Sequence, residues 1–272
     1  MTPPIEQLRE IVARLRAEDG CPWDREQTHA SLRPGLLEEA HEVVEAIDTL
    51  SECTDPALRE RADAELSEEL GDLLLQVVMH SQIAAETGRF TFDTVAAKIA
   101  EKLVRRHPHV FGTAEADDTA TVLTQWEEIK REERRKKGIS GTGSALDGVP
   151  GGLPALLYAE KVAKKAAKVG FDWQEPAPVF DKIREELAEI DQALQEGEPP
   201  ARIEEELGDL LFAVANLARK VGVNGEVALR RATGKFSRRF RLVEQAIAAR
   251  GQKMEECTLE ELDAVWNAIK KD

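Results

Sequence analysis

An all-α protein built as two tandem antiparallel helical bundles is what this sequence predicts, and three observations carry that reading. The 272 residues are rich in helix formers, with 42% apolar, 33% charged and only 5% aromatic residues, a balance that favours helices over strands. Long stretches show apolar residues at the 3.6-residue period, and no alternating strand pattern of useful length occurs. The third observation is an internal repeat: four short patterns recur in the same order on either side of a Gly/Ser/Pro-rich segment.

The repeat is legible residue by residue. Leu37-Glu38-Glu39-Ala40-His41-Glu42 is answered by Arg184-Glu185-Glu186-Leu187-Ala188-Glu189, and Glu68-Glu69-Leu70-Gly71-Asp72 by Glu205-Glu206-Leu207-Gly208-Asp209. Lys102-Leu103-Val104-Arg105-Arg106 matches Lys235-Phe236-Ser237-Arg238-Arg239, and Trp126 with Lys130 matches Trp266 with Lys270. Residues 1–137 and 155–272 are thus expected as two repeats, with 138–154 as the linker. Helices are expected over Leu36–Leu50, Ala64–Glu86 and Phe92–Arg106, then Val179–Gln195, Pro200–Gly222 and Gly225–Arg250. Breakers such as Gly88, Glu198-Pro199-Pro200 and Gly222 separate them. Short connections between long helices imply antiparallel neighbours.

Composition also excludes functions. A formal charge of −15 repels polyanions at long range, so nucleic acid is not an expected partner, and a phosphate-bearing small molecule would need metal ions. Cys21, Cys53 and Cys257 have no metal-ligand spacing and fit a reducing, cytoplasmic setting. Residues 1–20 form a charged amphipathic pattern rather than a signal peptide, and no apolar run is long enough to span a bilayer. No GxxxxGK[ST] is present, because Gly234-Lys235 is followed by Phe236, so a P-loop is ruled out. Glu38 to His41 spells ExxH without a second ExxH, which argues against a di-iron bundle.

The chemistry resides in the repeated acids. On a helix, Glu185, Glu186 and Glu189 share one broad face, as do Glu38, Glu39 and Glu42. In the next helix Glu206 and Asp209 are three apart, with Ala213 and Asn216 continuing their stripe among Leu207, Leu210, Leu211 and Val214. Facing two such helices gathers four or five carboxylates, which requires compensating cations. An oxygen-only ligand set selects a hard ion, Mg²⁺ or Mn²⁺. One such acid pattern alone reads as a solvated helix face; its recurrence, and the apolar surroundings of the second cluster, favour a metal site. Lys182, Lys235, Arg238 and Arg239 are candidate phosphate cations. Trp266 and Lys270, four apart, offer a ring and a charge for a base.

The series Glu185-Glu186-x-x-Glu189 followed by Glu206-x-x-Asp209 resembles the EExxE…ExxD signature of the MazG family of all-α nucleoside triphosphate pyrophosphohydrolases. The resemblance extends over Cys21-Pro22-Trp23-Asp24, Arg105-Arg106-His107-Pro108-His109-Val110-Phe111 and Val169-Gly170-Phe171-Asp172-Trp173, and the duplication is similar to the two-domain members. It implies a Mg²⁺-dependent homodimer that hydrolyses ordinary and aberrant NTPs to NMP and pyrophosphate, with the C-terminal repeat as the active one. Carried over by motif, Glu186, Glu189, Glu206 and Asp209 would hold Mg²⁺, and Lys182, Glu185, Glu205, Lys235, Arg238, Arg239, Trp266 and Lys270 would surround the nucleotide. Glu39, Glu42, Glu69 and Asp72 form a second, weaker candidate site. The first repeat has Gly35 in place of Lys182 and Met79 in place of Asn216, and its Glu42-to-Glu69 spacing is ten residues longer than Glu189 to Glu206. The expected mechanism is in-line attack of water on the α-phosphorus, with Glu185 orienting it. The competing reading is a non-catalytic helical module that senses Mg²⁺–nucleotide.

Overall fold

The computed structural model describes residues 2–136 and 143–270. Among these residues the chain is helical, with no strand, and it divides into two compact units, Met1–Ser140 and Gly141–Asp272. Part of the expected linker, residues 138–142, lies outside the described residues. No helix is long and apolar enough to cross a membrane among the described residues.

The first unit contains α1 (Pro4–Leu15), α2 (Pro22–Glu26), α3 (Arg33–Glu52), α4 (Pro56–Glu86), α5 (Phe92–Arg106), α6 (Pro108–Phe111) and α7 (Thr119–Lys136). Its centre is the α3–α4 hairpin, against which α1 packs. Val12 of α1, Leu32 before α3, and Val78, Met79 and Ile83 of α4 form the buried cluster, flanked by Leu8, Leu75 and Phe92. The spacing of Leu75, Val78, Met79 and Ile83 on α4 is the i, i+3, i+4, i+8 stripe of a core-facing helix.

The second unit contains α8 (Ala155–Ala167), α9 (Ala177–Glu196), α10 (Pro200–Lys220), α11 (Gly225–Ala249), a 3₁₀ turn (Met254–Glu256) and α12 (Leu259–Ile269). Here α9 and α10 form the central hairpin, and α8 packs on α10 as α1 does on α4. A separate cluster of Val243, Ile247 and Val265 joins α11 to α12, with Leu262, Met254 and Trp266 against it.

The helix boundaries follow from local chemistry. Asp55 accepts a hydrogen bond from the Ala57 N–H and Pro56 opens α4, where a proline costs no intrahelical bond. Asp55-Pro56 therefore starts a helix instead of merely interrupting one, and α4 begins eight residues before the expected Ala64. The longer spacing from Glu42 to Glu69 is absorbed as additional helical turns, most of it at the start of α4 and the rest at the end of α3. Thr91 with Thr94, and Thr258 with Glu261, form capping boxes on α5 and α12. Gly197 ends α9 at φ 68°, where a side chain would be strained, and Glu198 N–H closes onto the Ala193 carbonyl at 2.9 Å.

In the first unit α7 is tied to α5 by charge. Arg105 and Arg106 both donate to Glu133, at 2.6 and 2.5 Å, and hold its carboxyl down to about 2 from the ordinary 4.5. A depressed carboxyl contributes stability above its unfolded value, and that contribution is lost as pH falls from 4.5 toward 2. Glu133→Gln is accordingly expected to lower the first unit's thermal midpoint at pH 7 by ~4 °C. In scanning calorimetry the gap from the parent should narrow as the pH is lowered through that window; a gap independent of pH would show that the ion pairs contribute nothing to it.

Candidate functional site

The α9–α10 hairpin turns the helical spacing of its acids into a cluster. Glu186 on α9 and Glu206 on α10 are each only 2% exposed, whereas Asp209, one turn further along α10, faces solvent. One carboxylate oxygen from each of the three lies within 4.8 Å of the others. Glu189, one turn after Glu186, borders them: burial pushes its carboxyl above the usual range, and the charges of Glu206 and Glu186 push it further. Such closeness of buried anions is tolerable only with cations at hand.

Two cations are present. Lys182 places Nζ 2.6 Å from Glu186 and 2.8 Å from Glu185, and these carboxylates raise its ammonium pKa, Glu185 foremost. Arg202, one turn before Glu206, pairs with Glu206 and with Glu205 at 2.7 Å. Glu185 and Glu205 themselves face solvent. Sequence reasoning singled out Lys182 and missed Arg202, although the four-residue offset from Glu206 was the same signal.

The residues fit a hard divalent ion. The donors are carboxylate oxygens, and Glu186 Oε2 is buried with no hydrogen-bond partner in the protein, which leaves a buried lone-pair donor uncommitted.

Between α8 and α10 lies a cavity of about 630 Å³ lined by Leu146, Val162, Ala163, Ala166, Phe171, Trp173, Phe212 and Asn216. Asn216, 7% exposed, is two turns beyond Asp209 on the same face of α10. Its Oδ1 accepts from Arg219 Nε at 2.9 Å, and Arg219 donates in turn to Asp172 at 2.7 Å. Lys220 completes the set at 2.8 Å from Asp172. Burial opposes the Asp172 charge, but hydrogen bonds from Lys220 and Arg219 outweigh it and hold the carboxyl below its usual range. The amide of Asn216 is thereby oriented, with its oxygen committed to Arg219 and its N–H donors directed elsewhere. The cavity was not legible from the sequence, because its aromatic wall comes from the α8–α9 connection.

The first unit repeats the acids without these surroundings. Glu39, Glu69 and Asp72 also bring one carboxylate oxygen each within 4.8 Å of the others; burial raises the carboxyls of Glu39 and Glu69, and the charges of Asp72 and Glu42 raise them further. Gly35 replaces Lys182, and the neutral amide of Gln76 bonds Glu39 instead. Met79, in the place of Asn216, is buried in the Val12–Leu32–Val78–Ile83 cluster.

The remaining predicted residues lie on the last two helices. Lys235, Arg238 and Arg239 are on α11 and Trp266 and Lys270 at the end of α12, with the Trp266 ring 5.1 Å from that of Phe236. The α11–α12 contact holds this group together, and α11 touches α8 and α10.

The chain is similar to known proteins over nearly its whole length. The profile of the MazG nucleotide pyrophosphohydrolase domain matches residues 27–111 and 174–243, which include both acid clusters. A nucleoside triphosphate pyrophosphohydrolase of Escherichia coli is 48% identical over 269 residues, covering 98% of this chain and 97% of its own. The chain belongs to the MazG family. A nucleoside triphosphate pyrophosphohydrolase/pyrophosphatase MazG of Thermotoga maritima is 46% identical over 98% of this chain and 95% of its own. An uncharacterized protein, YabN, of Bacillus subtilis is 42% identical, with this chain spanning 54% of its length. The two matched segments include the α3–α4 and α9–α10 hairpins.

Removing one of three converging oxygen ligands should cost more than the 10- to 100-fold typical of outer-shell changes. Glu186→Ala and Asp209→Ala are thus each expected to weaken Mn²⁺ binding roughly 100-fold or more, measured by the paramagnetic resonance of free Mn²⁺. Glu205→Ala should leave it within about threefold, since that carboxylate is not among the three that converge. Equal losses in all three would mean that the ion is held by bulk negative charge and not by the cluster.

Proposed function

We propose that this chain hydrolyses nucleoside triphosphates to the monophosphate and pyrophosphate at the α9–α10 site of its second unit, using Mg²⁺. The observation that carries the proposal is the convergence of Glu186, Glu206 and Asp209 from two facing helices, with two of the three carboxylates almost fully buried. The names of the E. coli and T. maritima relatives support the reaction class. This reading takes residues 1–137 and 155–272 as two MazG repeats about a 138–154 connector, with turnover in the second.

When bound, Mg²⁺ supplies positive charge to the phosphates and lowers the pKa of a nearby water. The chain's own residues do the rest. Glu186, Glu189, Glu206 and Asp209 supply the oxygen ligands. Lys182 stands one helical turn before Glu186 and reaches phosphate oxygens at the same site. Glu185, exposed and adjacent, accepts a hydrogen bond from water and orients it toward the α-phosphorus. Lys235, Arg238 and Arg239 neutralise the departing pyrophosphate, and Trp266 and Lys270 lie beside them at the nucleotide. The cavity lined by Phe171, Trp173 and Phe212 accepts the base, with the Asn216 amide as its polar contact.

The chain is further proposed to act as a homodimer. Leu207, Leu211 and Val214 are exposed at i, i+4 and i+7 on α10, an apolar stripe that a second copy would cover. Light scattering at micromolar concentration should give twice the mass of one chain, and a monodisperse monomer would remove this part of the proposal.

Hydrolysis in ¹⁸O water should place the label in the monophosphate, with pyrophosphate as the other first product. Asp209→Ala or Glu206→Ala is expected to cost ~10²-fold or more in rate, while Asp72→Ala or Glu69→Ala costs far less. Orthophosphate and a nucleoside diphosphate as first products would overturn the assignment, and binding without turnover would favour a sensing module. Phe212→Ala should raise KM by roughly tenfold with kcat little changed, as loss of an aromatic contact to the base does; an effect on kcat alone would move the base elsewhere.

A further inference from the structure

The two cations at the acid cluster are not needed to build it. The first unit forms the same facing-helix cluster with Gly35 where the second has Lys182, and with Glu65 where the second has Arg202. Whatever Lys182 and Arg202 do, they do for the second unit's own chemistry. Both sit one turn N-terminal of the buried acid they hold, Lys182 on Glu186 at 2.6 Å and Arg202 on Glu206. Both have a second, solvent-facing carboxylate beside it, Glu185 and Glu205. Their own side chains are 37% and 47% exposed, so either head group can swing outward without crossing packed core.

An oxygen that accepts from an ammonium or guanidinium has less electron density to offer a divalent ion, and the two kinds of cation repel at this range. A bare metal ion at these acids, even one held by the unpartnered Oε2 of Glu186, is therefore opposed by Lys182 and Arg202 as long as they stay on Glu186 and Glu206. A metal–triphosphate complex brings the replacement partners with it, because non-bridging phosphate oxygens accept from both groups. The geometry points to Lys182 and Arg202 as exchangeable counter-ions, held by Glu186 and Glu206 until a triphosphate takes them, so that metal and nucleotide enter the site together. The inference rests on the proposed metal site at α9–α10. It adds Arg202 to the substrate-binding residues and gives Lys182 a second role. Their transfer moves no proton and breaks no covalent bond.

The test uses the full chain carrying Glu69→Gln, so that the first unit's acids add no second site, and two probes: Mn²⁺ alone, and preformed Mn²⁺ complex of an α,β-methylene nucleoside triphosphate. Lys182→Gln and Arg202→Gln are each expected to tighten bare Mn²⁺ several-fold and to weaken the preformed complex by on the order of tenfold, within the usual range of coupling between sites. Arg184→Gln, which removes the same charge from α9 but a partner of Asp181, should change neither, and Arg202→Lys should restore most of the coupling. If both probes weaken together, the cations only fix the acids' geometry and the exchange is wrong. If Arg184→Gln reproduces the opposite-sign effect, long-range charge explains it and the exchange is again wrong. Loss of the metal site itself would show differently: Mn²⁺ binding insensitive to Glu206→Gln would overturn that reading and the exchange with it.

Discussion

Two carboxylates buried side by side on facing helices are the constraint around which the second unit is arranged. Glu186 and Glu206, each 2% exposed, cannot both stay ionised in an apolar bundle without positive charge within a few ångströms. The helical period places Lys182 and Arg202 one turn away from them, and it places Asp209 and Glu189 one turn away on the other side. A hairpin of two helices is sufficient to build this arrangement. The outer helices α8 and α11 add the cavity wall and the remaining basic groups.

The same constraint accounts for the difference between the repeats. In the first unit the acids are less enclosed, and burial together with mutual repulsion pushes the carboxyls of Glu39 and Glu69 upward, with Gln76 as a neutral partner to Glu39. Met79 packs into the core where Asn216 lines a cavity. Arg105 and Arg106, counterparts of Arg238 and Arg239, are committed to Glu133. Each of these features favours packing and ion pairing within the first unit.

Much of this was legible in the letters, because helices translate spacing into geometry directly. The offset from Glu206 to Asp209, and the Gly and Pro boundaries, needed only the 3.6-residue period. The central hairpin of each unit followed. Arg202 was equally readable, yet an Arg four residues before a Glu is ordinarily a surface ion pair, and only the burial of Glu206 distinguishes it. The cavity required Phe171 and Trp173, which sit in an irregular connection where no periodicity applies. Glu133 acquires its role from two arginines 27 and 28 residues away, a tertiary pairing that no local pattern announces. For Trp266 and Lys235 the repeat itself was visible, but their relation to the acids depends on where α11 and α12 pack, which periodicity does not determine.

The most direct measurement of the central claim is anomalous diffraction from crystals of the full chain grown with Mn²⁺ and an α,β-methylene nucleoside triphosphate. The account predicts a peak ~2.2 Å from carboxylate oxygens of Glu186, Glu206 and Asp209, with the α-phosphate beside it. A peak confined to Glu39, Glu69 and Asp72, or a nucleotide bound with no ion at the α9–α10 acids, would contradict it.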